Sequence, residues 1–412
     1  MNRSMMKKYA RLIVRAGANV RRGQVVSLHI SIDQGDFAAI LIEECYRAGA
    51  SRVDVEWSFQ KQTLLDYQYR SEESLSTIPA WKEERIKLTT EELPCRILIL
   101  SDDPDGLAGI DQDKMHKASM ARYAVMKKYE DLLENMQQWV IAAVPSEIWA
   151  MKIFPNLSRR TAVEKLWDAI LSTVYVSRTG DPLKTWKQRN EDFQKRCALL
   201  NAHHFDTIVY KSANGTDFRA DLIPEANWCG GGEKSKQGIF FNPNLPTEEI
   251  FTSPMRGKAE GKLVSTKPLS WQGQLIENFW MRFEDGHVVD CGAEKGEELL
   301  RKMISMDEGA SYLGELALVP SSSPINQSGI LFYNTLFDEN ASCHVALGRG
   351  FCDVIENFTE RSLEECQKLG VNDSMIHVDF MIGADDLSIT GYKNGVSTPI
   401  FVNGEWAPEF TL

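Results

Sequence analysis

In the first half of this 412-residue chain, short apolar runs of strand length alternate with longer segments whose apolar residues recur at helical spacing. Four apolar or β-branched runs have the length of strands: residues 24–30, 52–57, 97–100 and 140–144. The segments between them, such as residues 34–48 and 112–136, place apolar side chains at helical spacing. Because strands separated by helices are typical of βαβ units, the pattern predicts an α/β domain with a mainly parallel sheet.

The pattern changes after about residue 205. Short alternating strands with frequent Gly, Asn and Pro punctuation follow, at residues 207–210, 218–222, 278–283 and 287–290. A chain of this length is typically divided into about two domains. The sequence therefore predicts an α/β N-terminal domain over residues 1–205 and a larger β-rich α+β domain over residues 206–412.

Composition limits the partners of the chain. Its formal net charge of −12 disfavours binding to nucleic acid or to an anionic membrane surface. The longest apolar runs have strand length, far short of the ~20 residues of a membrane helix. The N-terminus lacks the uninterrupted apolar core of a signal peptide, and the eight cysteines form no C-x-x-C pair. We predict a cytoplasmic protein.

Several common catalytic signatures are absent. The sequence contains no G-x-G-x-x-G loop after a strand, no Walker-type loop, no H-E-x-x-H and no G-x-S-x-G. A nucleotide-binding enzyme built on the α/β half is one hypothesis, but the missing glycine-rich loop argues against it.

Residues 376–380 carry the most informative local pattern. Three apolar side chains alternate with His377 and Asp379, so a strand would place these two polar side chains on one face. Imidazole and carboxylate together suit Zn²⁺, Co²⁺ or Mn²⁺. Taken alone, the pattern fits an ion-paired histidine on an exposed strand better than a metal site.

Further candidate ligands lie upstream. Glu315 is the one carboxylate in a nearly unbroken apolar run, where a charge is rarely tolerated unless it is paired or bound to a cation. Glu339 and His344 flank another apolar segment, and Glu248 and Glu249 precede a third. These acids and histidines form a set that could hold a metal.

Five ordered motifs now give the second half a family resemblance. They are PTEEIFTSP (246–254), VSTKPL (264–269), LGELALVP (313–320), LFDENASCHVALG (336–348) and IHVDFMIG (376–383). They resemble the thermophilic-aminopeptidase family of cocatalytic metallopeptidases, the group containing aminopeptidases S, T and II. The first half agrees more diffusely, through its succession of α/β segments.

The resemblance implies a metallo-aminopeptidase whose β-rich domain is catalytic and binds two divalent ions per chain (Zn, Co, Mn or Mg). Its ligands fall on Glu249, Glu315, His344, His377 and Asp379, with Glu339 as a sixth. Spacing does not separate Glu249 from Glu248; only the motif alignment does. Glu315 is predicted to bridge the ions, while either Glu339 or Glu315 would carry the proton. The implied substrates are short peptides with a free N-terminus, and the implied assembly is a homodimer.

One position departs from the family. The family commonly has a tyrosine seven residues after the first ligand histidine, where this chain has Phe351. A phenyl ring cannot donate a hydrogen bond to an oxyanion, and losing one such donor typically costs about 10²–10³ in turnover. The alternative hypothesis is therefore a catalytically weakened homologue that binds metal and peptide.

Overall fold

The computed structural model describes residues 2–133 and 135–412. By contacts the chain divides into two compact units, residues 1–187 with 232–246 and residues 188–231 with 247–412. This division differs from the single boundary predicted at residue 205. Residues 188–205 group with the second unit, and residues 232–246 belong to the first unit, where they add a strand to its sheet.

The α-helices of the described residues begin in the first unit and continue into the second. They are α1 (Arg3–Leu12), α2 (Gly35–Ala48), α3 (Gln60–Tyr69), α4 (Glu72–Ser76), α5 (Ala80–Glu92), α6 (Gln112–Leu133), α7 (Glu147–Ile153), α8 (Arg159–Thr173), α9 (Pro182–His203), α10 (Glu297–Ile304), α11 (Pro324–Gln327), α12 (Thr335–Asp338) and α13 (Leu363–Leu369). Within the described chain, no helix combines the length and apolar character needed to cross a membrane.

The longest strands lie in the second unit. They are β1 (Val25–Ser31), β2 (Arg52–Ser58), β3 (Cys95–Leu100), β4 (Trp139–Ala143), β5 (Thr207–Lys211), β6 (Asp217–Leu222), β7 (Cys229–Gly230), β8 (Glu233–Lys234), β9 (Phe240–Phe241), β10 (Asn244–Leu245), β11 (Ile250–Thr252), β12 (Pro254–Val264), β13 (Leu269–Trp271), β14 (Gln274–Glu284), β15 (His287–Lys295), β16 (Leu313–Leu318), β17 (His344–Gly348), β18 (His377–Met381), β19 (Ser388–Lys393), β20 (Val396–Val402) and β21 (Glu405–Trp406).

The first unit contains a five-stranded parallel sheet in the order β10-β4-β3-β1-β2. The predicted strands and parallel pairing are confirmed. Strand β1 lies between β3 and β2, and its side chains Val26, Leu28 and Ile30 are fully buried. The fifth strand, β10, was not predicted because two residues are too few to show a period.

The second unit contains two antiparallel sheets, one of nine strands and one of five. One sheet runs β13-β14-β12-β6-β5-β19-β20-β21, with β15 paired to β14, and the other runs β18-β17-β16-β11-β7. Apolar residues of both sheets, among them Phe279, Phe380 and Ile389, belong to one buried cluster. The predicted fold class, an α/β part with a parallel sheet and a larger β-rich part, is confirmed.

Candidate metal centre

The five-stranded sheet of the second unit has one apolar face and one face that carries acids and imidazoles. Leu316, Val345 and Phe380 point from β16, β17 and β18 into the core. Successive side chains of a strand point to opposite faces, so the intervening residues lie on the other face. These residues include Glu315, His344, His377 and Asp379.

Strand register brings these side chains together. Glu315 of β16 pairs with Ala346 of β17, and Ala346 pairs with Asp379 of β18. Directly opposed residues share a face and have closely spaced Cβ atoms. Because the residue between the two acids is an alanine, both carboxylates can reach over it. His377 is likewise paired with a small residue, Gly348.

Two groups of three side chains have the geometry of metal sites. In the first, Glu249, Glu315 and His344 each offer a ligand atom within 4.8 Å of the others, and His344 Nε2 lies 3.1 Å from Glu249 Oε2. All three residues are buried.

The second group consists of Glu315, His377 and Asp379, whose ligand atoms also lie within 4.8 Å of one another. His377 Nε2 is 3.1 Å from Glu315 Oε2 and 3.2 Å from Asp379 Oδ1. Glu315 is therefore the side chain that both groups share.

Backbone carbonyls orient both imidazoles. His344 Nδ1 donates to Ser342 O at 3.2 Å, and His377 Nδ1 donates to Arg349 O at 2.7 Å. In each ring this directs Nε2 toward the carboxylates. Metal-binding histidines commonly donate their second ring nitrogen in this way, which fixes the tautomer and the ring plane.

The histidines hold their protons strongly in the absence of a cation. Burial opposes the charged form of His344, but the hydrogen bond and charge of Glu249 outweigh it and raise the pKa of His344 to about 10. Burial also opposes the charge on His377, yet Asp379 and Glu315 raise its pKa well above the usual range. In both rings the nearby carboxylates favour the charged form over the neutral one.

The acids respond in opposite ways to the same surroundings. Burial, followed by the charges of Asp379 and Glu249, raises the pKa of Glu315 to about 7 despite the hydrogen bond from His377. Burial also favours a higher pKa for Asp379, but the charge and hydrogen bond of His377 outweigh it and lower the pKa of Asp379 to about 2. The cluster holds more buried carboxylate than its histidines can neutralise.

The residues fit a bound divalent cation. Asp379 Oδ1 is buried and receives no well-directed hydrogen bond among the described residues, although His377 Nε2 is near. Carboxylates and imidazoles are also the usual ligands of Zn²⁺, Co²⁺ and Mn²⁺. Additional positive charge would relieve the repulsion between the acids.

Glu339 lies beside these groups but belongs to neither. Burial, then the charges of Asp379 and Glu249, raises the pKa of Glu339 well above its usual range, which reflects its closeness to them. Its Oε1 accepts a hydrogen bond of 3.2 Å from Asn340 Nδ2.

Asn340 is a residue that the sequence patterns missed. Its buried side chain donates to Glu339 and to Leu336 O, while its Oδ1 accepts from Glu248 N at 2.7 Å. A single amide thus joins the turn that carries Glu339 to the backbone next to Glu249. Its place in the Asp-Glu-Asn motif was the available signal, but an asparagine gives no sign of its partners.

The structure separates the two adjacent glutamates. Glu248 Oε1 forms an ion pair of 2.9 Å with Arg189, whose Nη2 also donates to Thr247 O. Glu249 instead contacts His344. The two neighbouring side chains therefore lie in different environments, and only Glu249 belongs to a candidate metal group.

Phe351 lies next to the centre. Its ring centroid is 4.8 Å from that of His377 and 5.2 Å from that of Phe251. The backbone N of Phe351 donates to the buried Ser253 Oγ at 2.8 Å. The position that departs from the family pattern is therefore adjacent to a candidate ligand.

Comparison with known proteins identifies the class. Residues 2–406 match the thermophilic metalloprotease (M29) family, and the chain belongs to that family. The family and the enzyme class predicted from the motifs are confirmed. The match includes the first half of the chain, whose resemblance at the sequence level was diffuse.

Individual relatives agree over nearly the whole chain. Aminopeptidase AmpS of Bacillus subtilis is 38% identical over 404 residues, covering 98% of both chains. Aminopeptidase 2 of Geobacillus stearothermophilus is 37% identical over 406 residues, again covering 98% of both. The solved structure of wild-type AmpT from Thermus thermophilus has a TM-score of 0.89 at 36% identity and covers 98% of this chain and 99% of that one.

We predict that divalent cations displace protons from this centre. At pH 7 the pKa of about 10 leaves His344 protonated in the metal-free protein. A ligand imidazole must be neutral, so binding through Nε2 releases its proton, and affinity should rise about tenfold per pH unit for each proton released. Calorimetric titration of Co²⁺ in buffers of different ionisation enthalpy measures the release. Binding without release, and with an affinity independent of pH, would contradict the prediction.

Proposed function

We propose that this protein is an aminopeptidase that holds two divalent ions and removes the N-terminal residue from short peptides. The observation that carries the proposal is the position of Glu315 in both groups of ligands. The aminopeptidase names of its full-length relatives support the substrate class. Two ions close together are typically joined by a carboxylate that binds both.

In this proposal, Glu249 and His344 would hold one ion, His377 and Asp379 would hold the other, and Glu315 would be the ligand that serves both. The hydrogen bonds to Ser342 O and Arg349 O support this assignment because they aim both imidazoles inward. The ion pair of Glu248 with Arg189 supports the choice of Glu249 as the ligand.

Glu339 is proposed as the proton carrier. It lies outside both ligand groups, and its hydrogen-bond partner is a neutral amide, so it is free to exchange a proton. When bound, the ions would polarise the scissile carbonyl and lower the pKa of the attacking water. Glu339 would accept the proton of that water and deliver it to the nitrogen of the leaving amine.

The carboxylates also favour substrates with a free N-terminus. An α-amine offers hydrogen-bond donors, whereas an acetylated N-terminus has lost its charge and is bulkier. Exopeptidase action follows if this amine must be held for the scissile carbonyl to align. The homodimer, the cytoplasmic location and the identity of the metal stay predictions.

A second candidate is the weakened homologue, and the position of Phe351 favours it. The ring lies beside His377 at the place where the family commonly has a hydroxyl. In this version the protein would bind metal and peptide but turn over slowly, because no phenol stabilises the oxyanion.

Metal stoichiometry tests the shared ligand. Glu249→Gln and Asp379→Asn should each retain about one of two ions per chain, whereas Glu315→Gln should retain fewer than one because both sites use it. Metal analysis of dialysed protein measures the content, with the exposed Glu364→Gln as the matched control. A Glu315→Gln protein with full metal content and activity would contradict the assignment of Glu315 as the ligand shared by both ions.

Peptide blocking tests the exopeptidase proposal. Leu-Gly-Gly should be hydrolysed by the metal-loaded protein, and N-acetyl-Leu-Gly-Gly should be cleaved at least about 100-fold more slowly, since loss of a positioned contact reduces turnover by such factors. Chromatography of the released leucine gives both rates. Equal rates would indicate an endopeptidase or an amidohydrolase.

Restoring the hydroxyl separates the two candidates. Phe351→Tyr should raise kcat about tenfold or more with less change in KM, because the new donor would act mainly in the transition state. Steady-state kinetics at matched metal content measures both constants, with Phe358→Tyr as the control. An unchanged or lower kcat in the folded, metal-loaded variant would show that the missing phenol does not limit turnover.

A further inference from the structure

The face of the sheet that carries the acids continues into an aromatic surface. Phe251 of β11 pairs with Ala317 of β16, and Ala317 pairs with His344 of β17. Directly opposed residues share a face, so Phe251 lies on the same side of the sheet as His344. Glu249 stands two residues before Phe251 and extends the same alternation.

Phe351 completes this surface. Its ring packs edge-to-face on Phe251, with an interplanar angle of 68°, and its other neighbour is the ring of His377. We call the pair Phe251 and Phe351 the two-ring wall. The wall runs from the strand that follows Glu249 to the second imidazole, so it borders both ligand groups.

The two rings of the wall pack against an apolar cluster and keep part of their surface exposed. Both rings pack against a buried apolar cluster that includes Ile223, Val354 and Val371. Ser253 Oγ accepts a hydrogen bond from the backbone of Phe351 and fixes its position. Even so, both phenylalanines are only partly buried in the folded chain. Apolar ring surface beside a polar reaction centre is what an apolar substrate group requires.

We propose that the two-ring wall binds the side chain of the residue that is removed and gives the enzyme a preference for large apolar N-terminal residues. This inference rests on the proposed function. A leucine or phenylalanine side chain would bury ring surface that alanine leaves exposed to water. An acidic side chain would be disfavoured because the apolar rings would remove water from its charge without pairing it.

A series of aminoacyl-p-nitroanilides that differ in the removed residue tests the two-ring wall. The metal-loaded protein should hydrolyse Leu- and Phe-p-nitroanilide with a kcat/KM at least about tenfold above that for Ala-p-nitroanilide, and far above that for Glu-p-nitroanilide. Phe251→Ala should lower the Leu/Ala ratio of kcat/KM by about tenfold, mainly through the leucine substrate. Phe251→Leu, which keeps an apolar side chain and is less disruptive to folding, should lower it by about threefold.

Phe358→Ala is the matched control. Phe358 packs against the same apolar cluster but is not part of the wall, so its loss should leave the Leu/Ala ratio unchanged. Metal content and melting temperature show that each variant is folded and loaded.

The outcomes distinguish a failure of the two-ring wall from a failure of the aminopeptidase proposal. Cleavage of all substrates without preference for large apolar residues, or an unchanged ratio in folded Phe251→Leu, would overturn the wall and leave the aminopeptidase proposal intact. A wild-type protein that cleaves no p-nitroanilide and no free peptide would overturn both.

Discussion

Glu315 is a buried carboxylate in the middle of an apolar strand. The antiparallel five-stranded sheet places two histidines and further acids around it. An isolated ionised carboxylate would be costly at this depth, so it must be paired or protonated. His377 provides one partner, and Glu249 with His344 lies on the other side. The acids together exceed what two imidazoles neutralise, which makes the centre receptive to cations.

Two structural devices hold this arrangement in place. Carbonyls of residues 342 and 349 orient the imidazoles, so that each presents Nε2 to the acids. The side-chain amide of Asn340 donates a hydrogen bond to Glu339 and accepts one from the backbone N of Glu248, the residue before Glu249. A neutral amide can do both, whereas an ionised carboxylate in its place would have no hydrogen to donate.

The sequence predicted the elements whose signal is local. Strands β1 to β4 followed from short apolar runs between helical periods, and the common face of His377 and Asp379 followed from strand alternation. The two-residue strand β10 could not be predicted, because it is too short to have a period. Its formation depends on pairing with β4, about a hundred residues earlier in the chain.

The sequence by itself determined the family, the residue types of the candidate ligands and the common strand face of His377 and Asp379, because strand alternation and motif order are properties of neighbouring residues. Only the tertiary structure decided that Glu315 is shared by both groups, that Glu248 pairs with Arg189, and that Phe251 and Phe351 meet beside His377. The physical reason is that these relations depend on the register between strands far apart in sequence, which is fixed when the whole sheet packs.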